Sequence, residues 1–292
     1  TATGQWAVFQ EIGTVPSTMA ACRILLVAFS LMKNAKLLQS DCVRAYVQAP
    51  MKGTKTYIRL PKAWWPKHWA ARFRDPICEL LQALYGHPHA GDFWYEKLEA
   101  ELLRLNFTIV EGWPSVFILY PDGVATVSFV VYVDDLVMVG TEFLVDIIAE
   151  IRKNIKMEEP SDLQKYLGCV HHATQKIVEG ETITNVTFDM MNYFQAAIDQ
   201  YLELATEKLN EVSTPFAPRL APEELDALMA ERGVFADHAA SLVMKLMYGV
   251  RMAGPHLSTV VARLSSQITK WTRDSDRRLH RIYSYLAQAK KL

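Results

Sequence analysis

"SFVVYVDDLVMVG", residues 128–140, is the stretch whose reading decides the fold. Nine of its thirteen residues are apolar, yet Asp134 and Asp135 sit side by side near its middle. Two apolar, β-prone runs around a short polar break read as a β-hairpin with both strands buried. The pattern predicts strands over 127–133 and 136–139, with Asp134 and Asp135 at the centre of a tight two-residue turn. A carboxylate buried without a partner is costly. Two adjacent acids also repel each other unless a divalent ion neutralises them. At a hairpin tip they crowd one end of a sheet, where Mg²⁺ suits a few carboxylates plus substrate phosphates. The plainer alternative is a polar turn. Against it, Asp-Asp lacks the glycine that tight hairpin turns favour.

A third acid adds to this. Asp41, in "QSDCVRAY", ends a predicted strand that carries Leu37 and Leu38. A strand bearing one Asp beside a hairpin bearing Asp-Asp is what two-metal phosphoryl transfer requires. One ion activates the attacking hydroxyl, and the other holds the triphosphate and neutralises the leaving pyrophosphate.

The remaining composition is that of an ordinary globular protein: 292 residues, half of them hydrophobic, enough for two domains. Thr1 at the start reads as a piece of a longer chain. No leader peptide and no run of 18 apolar residues occurs, so secretion and a membrane span are not expected, and an intracellular (cytoplasmic or nuclear) location is. Cys22, Cys42, Cys78 and Cys169 form no C-x-x-C pair and read as reduced, mostly buried thiols. The sequon at Asn185 carries little meaning without a secretion signal. Charge is uneven. Residues 142–226 hold sixteen acids against seven bases, and residues 245–292 hold ten bases against two acids. The basic end suits a polyanion, or a solvated helical surface that balances the acidic middle.

Periodicity and turn signals predict helices over 16–32 with Ser17 as N-cap, 92–107, 142–156, 191–204, 241–253, 256–269 and 275–290. Residues 37–50 read as a strand followed by a turn, further strands are predicted over 56–61, 115–120, 163–170 and 183–188, and residues 205–238, with Pro215, Pro218 and Pro222, read as a connector. His171 and His172, adjacent on a strand, point to opposite faces and do not share a metal.

Tyr132–Asp135, "YVDD" between apolar strands, resembles the active-site box of reverse transcriptases. The chain as a whole resembles the copia-type LTR retrotransposon reverse transcriptase. "LQSDCVRAYVQA" is similar to that family's first catalytic segment, QxDVKxAFLxG. "TYIRLPKAWW", "CELLQALYGHPHAGDFWYEKL", "LQKYLG", "VSTPF" and the "LSTVVARLSSQI … HRIYSYLAQAK" end resemble its later blocks in order, over about residues 23–290.

The resemblance implies an α+β fold: a right-hand polymerase palm, an antiparallel sheet packed on helices, with partial fingers and a mostly helical thumb or connection region. The implied division is 1–210 for partial fingers and palm, 211–240 for a connector, and 241–292 for the basic helical region. It implies two Mg²⁺ ions, with Mn²⁺ able to substitute, held by Asp41 and Asp134 with Asp135 as a supporting acid. Tyr46 falls where the family places an aromatic that excludes a 2′-hydroxyl, though a core tyrosine is the plainer reading. The backbone of Cys42, Val43, Arg44 and Ala45 would approach the triphosphate, and Tyr132 would support the primer end. Lys156, or Lys153, is the candidate general acid for pyrophosphate, on a loose alignment. Partners implied are an RNA or DNA template with primer, dNTPs, and the rest of a polyprotein.

The chain departs from the family at "LYGHPHAG", residues 84–91, where the family's glutamine position falls on His89. Histidine can still donate and stack, and Ala90 with Gly91 keeps close backbone approach open. The family's basic fingers segment and its ribonuclease H are expected upstream and downstream. Two alternatives stay open: a silent retroelement remnant that folds and binds nucleic acid, and another palm-type enzyme such as a nucleotidyl cyclase.

Overall fold

The structure is a computed structural model that describes residues 16–32, 34–179 and 181–289. In chain order the elements are α1 (Met19–Leu31), β1 (Lys36–Asp41), α2 (Ala45–Gln48), β2 (Tyr57–Arg59), α3 (Trp69–Arg72), β3 (Ile77–Glu79) and α4 (Ala90–Arg104). Then come β4 (Thr108–Val110), β5 (Trp113–Leu119), β6 (Val127–Tyr132), β7 (Asp135–Gly140), α5 (Phe143–Ile151) and β8 (Ser161–Asp162). The rest are β9 (Lys165–Tyr166), β10 (Cys169–Val178), β11 (Glu181–Asp189), α6 (Met191–Leu204), α7 (Pro222–Ala230), α8 (Ala239–Ala253), α9 (Ser258–Ser265) and α10 (Arg273–Ala289). Lys290, predicted to end the last helix, lies outside the described residues.

The fold is mixed α/β and divides into two units. One holds the described residues up to Gln164 together with Lys176–Thr184, and the other holds Lys165–Gln175 and the residues from Asn185 onward.

The first unit is built on a six-stranded sheet in the order β4-β5-β6-β7-β1-β8. Its central pairs, β5–β6, β6–β7 and β7–β1, are antiparallel. Both faces of the central hairpin are covered, which is why it is apolar at nearly every position. Phe129, Val131, Leu136 and Met138 face a core completed by Trp94, Leu98 and Leu102 of α4 and by Leu144, Ile148 and Ile151 of α5. By strand alternation the buried Leu37, Val130, Val137 and Val139 take the other face. There α1 presents its buried Ala21, Cys22, Leu25 and Leu26.

The hairpin forms as expected, with its turn one residue earlier. Tyr132 pairs with Asp135, so Val133 and Asp134 make the turn and Asp135 opens β7. Among the described residues Val133 has φ +60°, and Asp134 is not in the left-handed region. Positive φ at the first central position alone is the sign pattern of a type II′ turn, which suits the twist of a hairpin. Because side chains alternate, the shift decides which acid lies in the turn and which joins the ladder. Two smaller corrections concern caps and turns. Thr18 caps α1, its Oγ1 accepting from Ala21 N at 3.2 Å, while Ser17 N donates to Val131 O at 3.1 Å. The strand predicted over 163–170 is a hairpin turn instead: Tyr166 pairs with Cys169, with Leu167 and Gly168 at φ +47° and +78°.

β9, β10 and β11 form a three-stranded sheet, of which Lys165–Gln175 and the residues from Asn185 belong to the second unit. A helical core gathers Ile198 and Tyr201 of α6, Leu242 and Leu246 of α8, Val261 and Leu264 of α9, and Leu279, Ile282 and Tyr283 of α10. Tyr201 lies flat on Tyr283, centroids 4.3 Å apart. The predicted connector contains α7. Pro222 at its first turn, followed by Glu223 and Glu224, is a helix start that the prolines had masked.

Candidate active site

The acids meet at one end of the first unit's sheet. Asp41, last in β1, is the ladder partner of Asp135, first in β7, and Asp134 occupies the adjoining turn. Two further bonds fix the arrangement. Cys42 N donates to the Asp134 carbonyl at 2.9 Å, and Glu158 N donates to the Asp41 carbonyl at 2.8 Å. Burial, and then Asp134 and Glu158, push the Asp41 carboxyl above its ordinary range. Burial, and then Asp134 and Asp41, do the same to Asp135. Among the described residues none of these three aspartates has an ion-pair partner (the ion pairs lie elsewhere). Half-buried like charges facing one another without a cation describe a site that gains by binding one.

Among the described residues no three His, Cys, Asp or Glu side chains converge closely enough to hold a metal unaided. The donor set, hard carboxylates and no thiolate or imidazole, fits Mg²⁺ or Mn²⁺.

The other candidate residues fall into three groups. Tyr46, Ala90 and Gly91 line a cavity of about 260 Å³ together with His87, Trp94 and Val133. Tyr46 packs on Tyr85, centroids 4.7 Å apart. Burial, then Asp134 and Tyr85, raise its phenol above its ordinary range. His89 does not line this cavity, and its Nδ1 pairs with Asp92 Oδ2 at 2.9 Å. Tyr132 is half-buried in the ladder opposite Asp135.

The turn after β1 forms the second group. Cys42 is fully buried, and burial with the Asp41 charge pushes its thiol far up, so it is inert. Val43 and Arg44 are exposed, Ala45 is buried, and Arg44 takes the left-handed conformation at φ +52°. The N–H groups of Cys42 and Val43 are already bonded, to Asp134 O and Lys156 O.

Lys156 is the third. Its side chain is exposed, while its backbone is bound to the turn after β1. Gln48 makes that link, and no sequence signal marked it. Its Nε2 donates to Val43 O and to Lys156 O, both at 2.8 Å, and its Oε1 accepts from Lys156 N at 2.8 Å. Trp94 is the other residue that the sequence undervalued. It reads as core by periodicity, yet its indole N–H donates to the Val133 carbonyl at 2.7 Å.

The basic end of the chain is largely engaged within its own unit. Arg277 and Arg278 bind Asp274, Arg273 approaches Asp276 at 3.6 Å, and Lys245 donates to Ala196 O and Gln200. Arg277, Arg281, Ser284 and Gln288 form one stripe of α10 that holds an extended strap at Pro218, Thr214, Asn210 and Val212. Arg263 and Lys270 are exposed. His171 is buried edge-on to Phe188, and His172 is exposed 3.6 Å from Asp189, so the two do face apart. No helix among the described residues is long and apolar enough to cross a membrane.

The reverse transcriptase (RNA-dependent DNA polymerase) family matches residues 10–215, more than half of the chain. The chain therefore belongs to that family and carries an RNA-directed DNA polymerase domain. No curated protein matches the chain significantly.

Proposed function

We propose that this is the polymerase segment of a copia-type LTR retrotransposon polyprotein, built as a palm with part of the fingers and a helical thumb or connection region. It extends a primer 3′-hydroxyl with deoxynucleotides on an RNA or DNA template. The observation that carries the reading is the register: Asp41 faces Asp135 across β1 and β7, with Asp134 in the adjoining turn.

Asp41 and Asp134, with Asp135 in support, would hold the two Mg²⁺ ions. When bound, the ions supply the acidity that activates the 3′-hydroxyl and the charge that offsets the triphosphate. The new bond joins the primer oxygen to the α-phosphorus, and the bond from that phosphorus to pyrophosphate breaks. Tyr46 lies under the incoming sugar and excludes a 2′-hydroxyl. Ala90 and Gly91 line the cavity beside it, and His89 stands at the family's glutamine position. With Cys42 and Val43 bonded internally, donation to the triphosphate from this turn falls to the N–H groups of Arg44 and Ala45. Lys156 gives a proton to the departing pyrophosphate, and Tyr132 supports the primer end. Grip on the primer–template backbone by the second unit falls to exposed cations, Arg263 and Lys270 among them.

The test is primer extension on an RNA template with Mg²⁺ or Mn²⁺, comparing the native chain with Asp134→Asn. Synthesis by the first and none by the second is expected. Equal rates would remove Asp134 from the site. No synthesis by either, with primer–template still bound, would favour a silent remnant.

A further inference from the structure

The turn that carries Asp134 is held in a conformation its own sequence disfavours. Val133 has φ +60°, and a β-branched side chain in the left-handed region is a genuine outlier. Such a residue persists only when its surroundings over-determine it. Positive φ at this position favours glycine, and valine supplies none of that freedom.

Two bonds clamp the peptide units on either side of Asp134. On the downstream side its own carbonyl accepts from Cys42 N at 2.9 Å, which ties the turn to the strand of Asp41. On the upstream side the Val133 carbonyl accepts from Trp94 Nε1 at 2.7 Å. The Val133 carbonyl and the Asp134 N–H belong to one rigid peptide plane. What anchors that carbonyl therefore sets the start of Asp134.

We propose that Trp94 is the positioning residue of the polymerase site: its indole N–H holds Val133 in the strained turn and thereby sets where Asp134 stands beside Asp41. The inference rests on the polymerase reading above. Trp94 is suited to this by burial. It is 1% exposed, packed in the core of α4, and it also lines the cavity beside Tyr46. Its ring fills the core while its one polar atom reaches the turn. A phenylalanine would match the first property and lose the second.

A merely structural tryptophan would cost stability on truncation and leave a folded site unchanged. The experiment is a double-mutant cycle between Trp94→Phe and Val133→Gly, read by Mn²⁺ affinity from water-proton relaxation and by the rate of single-nucleotide incorporation. Thermal melts confirm folding of each form. Trp94→Phe alone is expected to weaken Mn²⁺ about five- to tenfold, the scale of one lost buried hydrogen bond. In the Val133→Gly background, where the turn is intrinsically favoured, the same change should cost no more than about twofold. Equal losses in both backgrounds overturn the proposal. So does unchanged affinity in Trp94→Phe while Asp134→Asn abolishes Mn²⁺ binding. If Asp134→Asn itself leaves Mn²⁺ binding intact, the polymerase-site reading is what fails. Should Trp94→Phe alone not fold, the double variant decides: a cooperative melt with Mn²⁺ binding supports the proposal, and an unfolded double variant overturns it.

Discussion

Replacing Asp134 by asparagine should stabilise the protein while it destroys the site. Burial, then Asp134, raises both Asp41 and Asp135 above the ordinary carboxylate range. A folded pKa above the unfolded value, about 4 for Asp, means a contribution to stability that is present below pH 4 and lost as pH rises through the folded pKa. At pH 7.5 the native chain therefore bears the full repulsion. Two unit charges in contact range, about 4 Å, at an effective dielectric of about 20 repel by about 4 kcal/mol at most. The sheet end is half open to solvent, and screening there reduces the figure to about 1 kcal/mol per pair. Relief of the Asp41 and Asp135 pairs together is about 1–2 kcal/mol, or about 3–5 °C in melting temperature. Melts of the native chain and Asp134→Asn in chelator at pH 7.5 and pH 4 test this, and the variant's advantage should shrink at the lower pH. A divalent ion at ten times its dissociation constant stabilises the native chain by about 1.4 kcal/mol, so Mg²⁺ should narrow the gap at pH 7.5. A lower melting temperature for the variant at pH 7.5 without metal, or a gap equal at both pH values, would refute the electrostatic reasoning.

Other expectations concern single residues. Tyr46→Val should admit ribonucleotides, measured as a rise in rNTP over dNTP incorporation of about tenfold or more; unchanged discrimination would make Tyr46 a core residue packed on Tyr85. Gln48→Ala removes the bonds that hold the Lys156 backbone, at a cost of about 1–2 kcal/mol. Hydrogen exchange at the Lys156 amide, which donates to Gln48 Oε1, should accelerate; unaltered protection would show that this bond does not hold the segment. Burial holds the His171 pKa below its ordinary value. Its contribution to stability is thus complete above about pH 6.5 and lost as pH falls through the folded pKa. His171→Phe should lower the drop in melting temperature between pH 7.5 and pH 5; an undiminished drop would place the acid sensitivity elsewhere, for instance at His87, which burial shifts the same way.

Much of the fold was legible because local pattern and tertiary environment agree. The hairpin is apolar at nearly every position because both faces are covered, and α6 runs over the predicted 191–204 because its apolar stripe and its turns coincide. Failures came where a short element carries little periodicity. Leu167 and Gly168 interrupt a run that reads as one strand, and the turn is closed from α8, where Tyr248 donates to the Leu167 carbonyl. A hydroxyl 81 residues away leaves no trace in the local pattern.

By itself the sequence determined the chemistry on offer: three aspartates on apolar strands, an aromatic beyond the first, and an ordered set of blocks that marks a reverse transcriptase. Those are properties of residue type and spacing, which chain order preserves. Only the tertiary structure decided which aspartate enters the turn, which joins the ladder, and what holds each there. The turn lies one residue earlier than pattern predicts because Trp94 and Cys42, both distant in sequence, anchor its two carbonyls. A one-residue slip reverses every side chain of a strand, and the contacts that prevent it belong to other elements.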